Sequence, residues 1–254
     1  MFGDEITAVS NAARGKTTLL GNNPGGYILA AVLAGIFIGF GVFLAFTVGG
    51  LLTGNPFARI LMGCTFGVAL SLVVIAGGEL FTGNNFVMTV GLVKKTVSAG
   101  ACFKIWGMSY LGNLIGSIII AVIFVWCGLA AGSTGEFISS AAAAKMSIPP
   151  FALICRGVLC NMLVCLAIWS TFRCKSEAAK LIIIFWCLLA FITTGFEHSI
   201  ANMTLLTISL LSPAAGAAVS LGGWIYNIAL STIGNMIGGI IFIALPYSAI
   251  SRQT

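Results

Sequence analysis

Two long apolar stretches of this chain are each interrupted by a carboxylate, and that pairing limits the possible folds more than any other feature. The first interruption is GGELFTGNN (Gly77–Asn85) and the second is TTGFEHSIANM (Thr193–Met203). Glu79 and Glu197 stand 118 positions apart, and the second stretch also holds the only histidine, His198, beside Ser199 and Asn202. Only 7% of the residues are charged and 59% are hydrophobic. A soluble domain carries about a quarter charged residues, so the chain is read as a polytopic membrane protein in a lipid bilayer. Ionisable groups kept inside a membrane at such cost mark a substrate or ion path.

Six apolar segments are expected to span: about 27–52, 59–93 (broken at Gly77–Asn85), 105–129, 151–172, 181–211 (broken at Gly195–Asn202) and 221–247. Each is long enough for a bilayer that needs ~20 apolar residues. The start, MFGDEITAVSNAARGK, has acids and no short apolar core, so no cleaved signal peptide is expected. Residues 4–22 read as an amphipathic helix with Ile6, Val9, Ala13 and Thr17 on one face, lying at the cytoplasmic membrane interface. The polar stretch with Glu136, Lys145 and Pro149-Pro150 reads as a loop.

Six spans put both termini on one side. With them lie Arg14, Lys16, Lys94, Lys95, Lys104, Arg173, Lys175, Lys180 and Arg252, nine of the twelve basic residues. Arg59, Lys145 and Arg156 fall on the other side. Basic residues gather in the cytoplasm, so both termini are expected there, and the net charge of +6 reports topology rather than nucleic-acid binding.

An internal repeat organises the spans. YLGNLIGSIIIAVIF (Tyr110–Phe124) returns as TIGNMIGGIIFIALP (Thr232–Pro246), 122 positions later. The expected layout is one membrane domain: an N-terminal segment (1–26), a first repeat (27–129) and a second (151–247). Three spans per unit invert the second copy, so the two broken helices meet near the midplane. Irregular backbone at that depth persists only where it lines a cavity or is buried in protein.

Several chemistries are disfavoured. The eight cysteines form no C-x-x-C pair, so neither a zinc site nor a disulfide framework is expected. RGKTT lacks the earlier glycine of a phosphate loop, E-H is not H-E-x-x-H, and no cofactor is expected. An intramembrane enzyme built on Ser199 and His198 would need an orienting third group, which the sequence does not offer.

The candidates that remain suit an anion path. An unperturbed imidazole titrates near neutrality, so His198 is expected to give a hydrogen bond or a proton to a small anion. Thr82, Asn84, Asn85, Asn161 and Asn202 offer neutral donors. Glu79 and Glu197 are expected to support the helix breaks by accepting backbone N–H groups, leaving positive half-helix dipoles aimed at the pore. Phe66, Leu70, Phe81, Val164 and Phe191 are candidate apolar constrictions. Lys145 is expected to attract anions to the outer mouth.

FEHSIANM, ELFTGNN, NMLVCLAIW and the two GN-x-IG repeats together resemble the formate/nitrite transporter family across essentially the whole chain. The resemblance implies an all-α, aquaporin-like protomer of six transmembrane helices in two inverted three-helix repeats, the second and fifth broken. It also implies a homopentamer in a bacterial inner membrane with one anion pore per protomer. His198 and Thr82 would sit at the pore centre, with Asn161 and Asn202 lining it. Phe66, Leu70 and Phe191 would form a cytoplasmic constriction, and Leu80, Phe81 and Val164 an outer one. Lys145 would be the outer lysine, and Lys16 would let the N-terminal segment plug the inner mouth. LFTG and WCLLAF look more like the nitrite and hydrosulfide branches than the formate branch, and the disulfide-free cysteines tilt the reading toward hydrosulfide. The expected substrates are thus hydrosulfide, nitrite or formate; the alternative is a channel for water or small neutral solutes, although the paired N-P-A boxes of aquaporins are missing.

Overall fold

The computed structural model describes residues 1–251, and Arg252, counted above for topology, lies outside them. Every regular element among these residues is helical. In order they are α1 (Gly3–Asn22), α2 (Pro24–Leu51), α3 (Ala58–Leu72) with a π-helical turn Val73–Gly77, α4 (Phe81–Val93), α5 (Ala99–Trp126), α6 (Gly132–Met146), α7 (Pro150–Arg173), α8 (Glu177–Thr194), α9 (Ser199–Leu211), α10 (Leu221–Ile237), a π-helical Gly238–Ala244, and α11 (Leu245–Ile250). Six of these stretches are long and apolar enough to cross a membrane, and α4 and α9 are the half-helices that complete the second and fifth spans.

Local chemistry sets the boundaries. Asn23, Ser98, Ser176 and Ser220 cap α2, α5, α8 and α10 by accepting a first-turn N–H. Gly195 ends α8 in the left-handed conformation at φ 78°, where a side chain would be strained. The two breaks are tighter than expected. Helix resumes at Phe81 and Ser199, so Thr82, Asn84 and Asn202 stand on first turns, and Asn85 just past one, rather than in open loops.

The repeat shows in the packing. Helices α2 and α5 cross closely, as do α7 and α10. A Cβ on Gly116 would lie 2.1 Å from the Val32 carbonyl oxygen, and one on Gly238 would lie 2.3 Å from that of Val158. These two glycines are repeat counterparts, and each lets two backbones meet where no larger residue fits.

Two segments differ from the sequence reading. The stretch read as a loop around Glu136 and Lys145 is α6, whose run of alanines favours helix without producing an apolar span. The amphipathic α1 is covered by protein as well as positioned at the end of the bundle. Ile6, Val9 and Ala13 are buried against α4 and α7, and Arg173 ties the start of α1 down through Glu5 (3.7 Å) and the Phe2 ring (4.5 Å to its centroid). Thr17, placed on that face by periodicity, is only partly buried. Helices α1 and α6 occupy opposite ends of the molecule, since the far end of α2 packs on Thr134 and Phe137.

Candidate functional site

The first turn of α4 and the N-cap of α9 meet in the middle of the bundle. Thr82 Oγ1 lies 3.1 Å from His198 Nε2, and both residues are buried. Histidine 198 caps α9, because its Nδ1 accepts the Ala201 N–H at 3.1 Å. That bond assigns the tautomer: Nδ1 is the acceptor, so Nε2 carries the hydrogen and donates it to Thr82 Oγ1. A second ring proton would turn N–H against N–H at Ala201. The Thr82 hydroxyl hydrogen stays free to point at a third group.

Beside the imidazole lies a narrow void of about 10 Å³, roughly one water, lined by His198, Phe66, Leu70, Phe191, Leu80 and Val164 among others, with Thr82 behind the histidine. The Phe66 and Phe191 rings meet edge to face at 5.4 Å, and Phe191 stacks toward the imidazole at 6.1 Å. Nothing larger than water passes here without motion of those rings.

The two constrictions are reversed relative to the sequence reading. Helix α3 starts at the α6 end, where Met62 joins Ile192 in the wall of an open cavity, so Phe66 and Phe191 lie just below that cavity. Given the expected topology that is the outer side. Leu80 and Val164 lie beyond the centre, toward α1, because α3 and α7 both run in that direction. Phe81 leaves the path and packs on the Tyr110 ring at 4.9 Å.

Asparagines 161 and 202 do not line the central void. The Asn161 amide donates to the carbonyl oxygens of Thr82 (3.2 Å) and Asn235 (2.7 Å) and to Asn85 Oδ1 (3.1 Å). The Asn202 amide donates to Glu197 Oε2 (2.6 Å) and Asn227 Oδ1 (2.8 Å). Both hold the framework that carries the pair.

The carboxylates are not met by backbone N–H groups either. Glu197 receives Lys145 Nζ at 2.7 Å, and Glu79 receives Lys16 Nζ at 2.7 and 2.8 Å together with the Asn84 amide at 3.1 Å. Lysine 16 therefore ties α1 to Glu79 in the first break, and Lys145 is half of a part-buried ion pair rather than a free charge. The backbone of the breaks is held by Asn113 and Asn235, repeat counterparts that sequence reading quoted in the GN motifs without giving them a role. Phe81 N–H donates to Asn113 Oδ1 and Ser199 N–H to Asn235 Oδ1, both at 2.9 Å.

At the Lys145 end a cavity of about 360 Å³ opens above the aromatic pair. Arg59 and Arg156 line it with Lys145 and Glu197, and neither guanidinium has a carboxylate partner among the described residues. With Lys145 neutralised, the uncompensated positive charge at this mouth belongs to the two arginines.

All eight cysteines are free thiols, six of them in spanning helices and Cys127 and Cys174 just beyond helix ends. Among the described residues, no three His, Cys, Asp or Glu side chains gather as a metal site.

The chain matches the family described as formate/nitrite transporter over residues 4–249. It is 44% identical over 253 residues to the nitrite transporter NirC of Escherichia coli (strain K12), covering 97% of this chain and 91% of that one. Among solved structures it resembles an FNT family ion channel with a TM-score of 0.93 and 39% identity, over 98% of this chain and 99% of the other. It also resembles a pentameric formate channel with formate bound, with a TM-score of 0.78 and 28% identity, over 89% and 96%.

Proposed function

Because the chain belongs to the formate/nitrite transporter family, we propose that it conducts small monovalent anions across a bacterial inner membrane, nitrite first, as part of a homopentamer with a pore in each protomer. The preference for nitrite rests on similarity to a nitrite transporter over nearly the whole chain, and the pentamer on the likeness to a pentameric channel. Formate and hydrosulfide belong to the same class of substrate. All eight cysteines are free thiols, the feature that tilted the sequence reading toward hydrosulfide, while similarity to a nitrite transporter puts nitrite first. The distribution of lysine and arginine supports cytoplasmic termini.

The observation that carries this reading is the Thr82–His198 pair, sealed among apolar side chains where two half-helix N-termini meet. An anion entering the apolar constrictions loses its water, at a cost that fixed dipoles can offset. The N-terminal ends of α4 and α9 supply partial positive charge, and the Thr82 hydroxyl and Nε2–H supply donors. The capping bond to Ala201 favours a histidine that donates a hydrogen bond over one that passes a proton. A neutral site of this kind offsets dehydration without trapping the anion, as conduction requires.

Stopped-flow light scattering on protein-containing vesicles separates this from the aquaporin-like alternative. Nitrite or formate gradients are expected to swell the vesicles well above the protein-free rate, with osmotic water permeability unchanged. High water permeability without anion-driven swelling would favour the alternative.

Arg59 and Arg156 should raise the local anion concentration at their mouth. Replacing both with glutamine is expected to lower initial flux about tenfold at ~10 mM salt, where charges reach across ~30 Å. At ~1 M inert salt the difference should nearly vanish, since screening shortens that reach to ~3 Å. Equal loss at both salt concentrations would make the arginines structural.

A further inference from the structure

We infer that Asn113 and Asn235 are positioning residues, each of whose buried side-chain amides straps one pore-facing residue in place, Leu80 in the first half and His198 in the second. The inference rests on the reading that His198 faces the anion path.

Asparagine 235 projects from α10 and is fully buried. Its Nδ2 donates to the Glu197 carbonyl oxygen at 2.9 Å and to that of Gly157 at 2.8 Å, while its Oδ1 accepts the Ser199 N–H at 2.9 Å. The carbonyl before His198 and the N–H after it are thus fixed to one planar group. The Glu197 N–H is held by the Arg156 carbonyl oxygen at 3.2 Å, and the His198 carbonyl oxygen takes the Asn202 N–H at 2.9 Å. Backbone freedom at the histidine is removed from both sides, which leaves its ring aimed by Ala201 and Thr82.

The first half repeats this bond for bond. Asn113 Nδ2 donates to the Glu79 carbonyl oxygen (3.0 Å) and that of Ala31 (2.8 Å), and its Oδ1 accepts the Phe81 N–H (2.9 Å). The Glu79 N–H is held by the Ala30 carbonyl oxygen (3.1 Å), and the Leu80 carbonyl oxygen takes the Asn84 N–H (2.9 Å). Leu80 and His198 are therefore the same position in two copies of one cradle, and both line the central void. The cradle is symmetric and its occupants are not: one half presents an apolar wall and the other a donor.

Only asparagine meets all three demands. Aspartate keeps the acceptor but sets a carboxylate oxygen against two carbonyl oxygens. Leucine of similar size leaves two carbonyls and an N–H unpaired.

The test uses the single histidine of the chain. Tag-free protein labelled with 15N at histidine, in lipid vesicles, gives a solid-state NMR spectrum of His198 alone. Wild type should show one protonated nitrogen, Nε2, and one bare nitrogen, Nδ1. Asn235→Ser and Asn235→Asp are each expected to mix the two tautomers and to lower nitrite flux about tenfold or more. Asn113→Ser should lower flux while leaving the histidine spectrum unchanged. An unchanged spectrum in folded Asn235 variants overturns the inference, and so does an equal disturbance from Asn113→Ser. Failure of all three variants to fold would make the asparagines folding elements and overturn it as well. If the spectra behave as expected but replacing His198 leaves flux intact, the strap stands and the reading of the pore fails.

Discussion

Lys145→Ala should destabilise the folded protein by about 3–5 kcal/mol, because it leaves the Glu197 carboxylate buried without its cation. The side chain of Glu197 is 3% exposed and that of Lys145 is 19% exposed, at a separation of 2.7 Å. The exposure difference makes the two partners unequal. Glu197→Ala should cost less than Lys145→Ala, since the more exposed ammonium can swing on its long stem into the adjoining cavity while the carboxylate is held by Asn202. Replacing both with methionine should restore most of the loss, since it removes both charges from the buried site. Thermal unfolding in detergent, followed by intrinsic fluorescence, reads all four proteins. A lysine that served only as a solvated lure would change stability by less than about 0.5 kcal/mol when removed.

Thr82→Val is expected to leave the fold intact and to cut anion flux steeply. Valine fills the same space, so the loss is confined to the hydroxyl. That hydroxyl accepts Nε2–H at 3.1 Å and holds the one hydrogen at the centre that no other bond claims. Its removal leaves the imidazole donor unpaired and the anion one partner short. A hydrogen bond to a charged group is worth about 1.5–3 kcal/mol, or roughly a ten- to hundredfold slower passage. Thr82→Ser keeps the hydroxyl and should conduct close to wild type. The measurement is nitrite uptake into vesicles at matched protein density. Equal flux for valine and threonine would remove Thr82 from the path.

The fold was legible because membrane burial exaggerates its own signals. Long apolar runs marked the spans, and a carboxylate inside two of them marked the breaks. The GN motifs revealed the repeat. What the sequence hid were partners. Nothing local tells Glu197 that its cation comes from α6, 52 positions away, or tells Glu79 that its cation comes from α1, 63 positions away. Helix α6 was missed because it is neither apolar enough for a span nor bounded by strong stop signals. Asn161 and Asn202 were read as neutral donors in the spans, and the family resemblance implied that they line the pore. Their amides instead satisfy backbone and carboxylate groups that burial would otherwise leave unpaired. The sides of the two constrictions follow from helix direction alone: Phe66 precedes the break in a span that starts at the α6 end. The GN asparagines were visible as a repeat, but a repeat shows only that two positions share a task.

The most direct measurement is nitrite, formate, hydrosulfide and chloride flux into vesicles for wild type and His198→Asn. Asparagine is a good helix N-cap, so α9 keeps its Ala201 partner while the Nε2–H facing Thr82 is lost. In wild type, nitrite should pass far faster than chloride. The folded variant should lose that advantage, with nitrite flux down about tenfold or more. Folded His198→Asn protein with unchanged flux and selectivity would contradict a pore centred on the histidine.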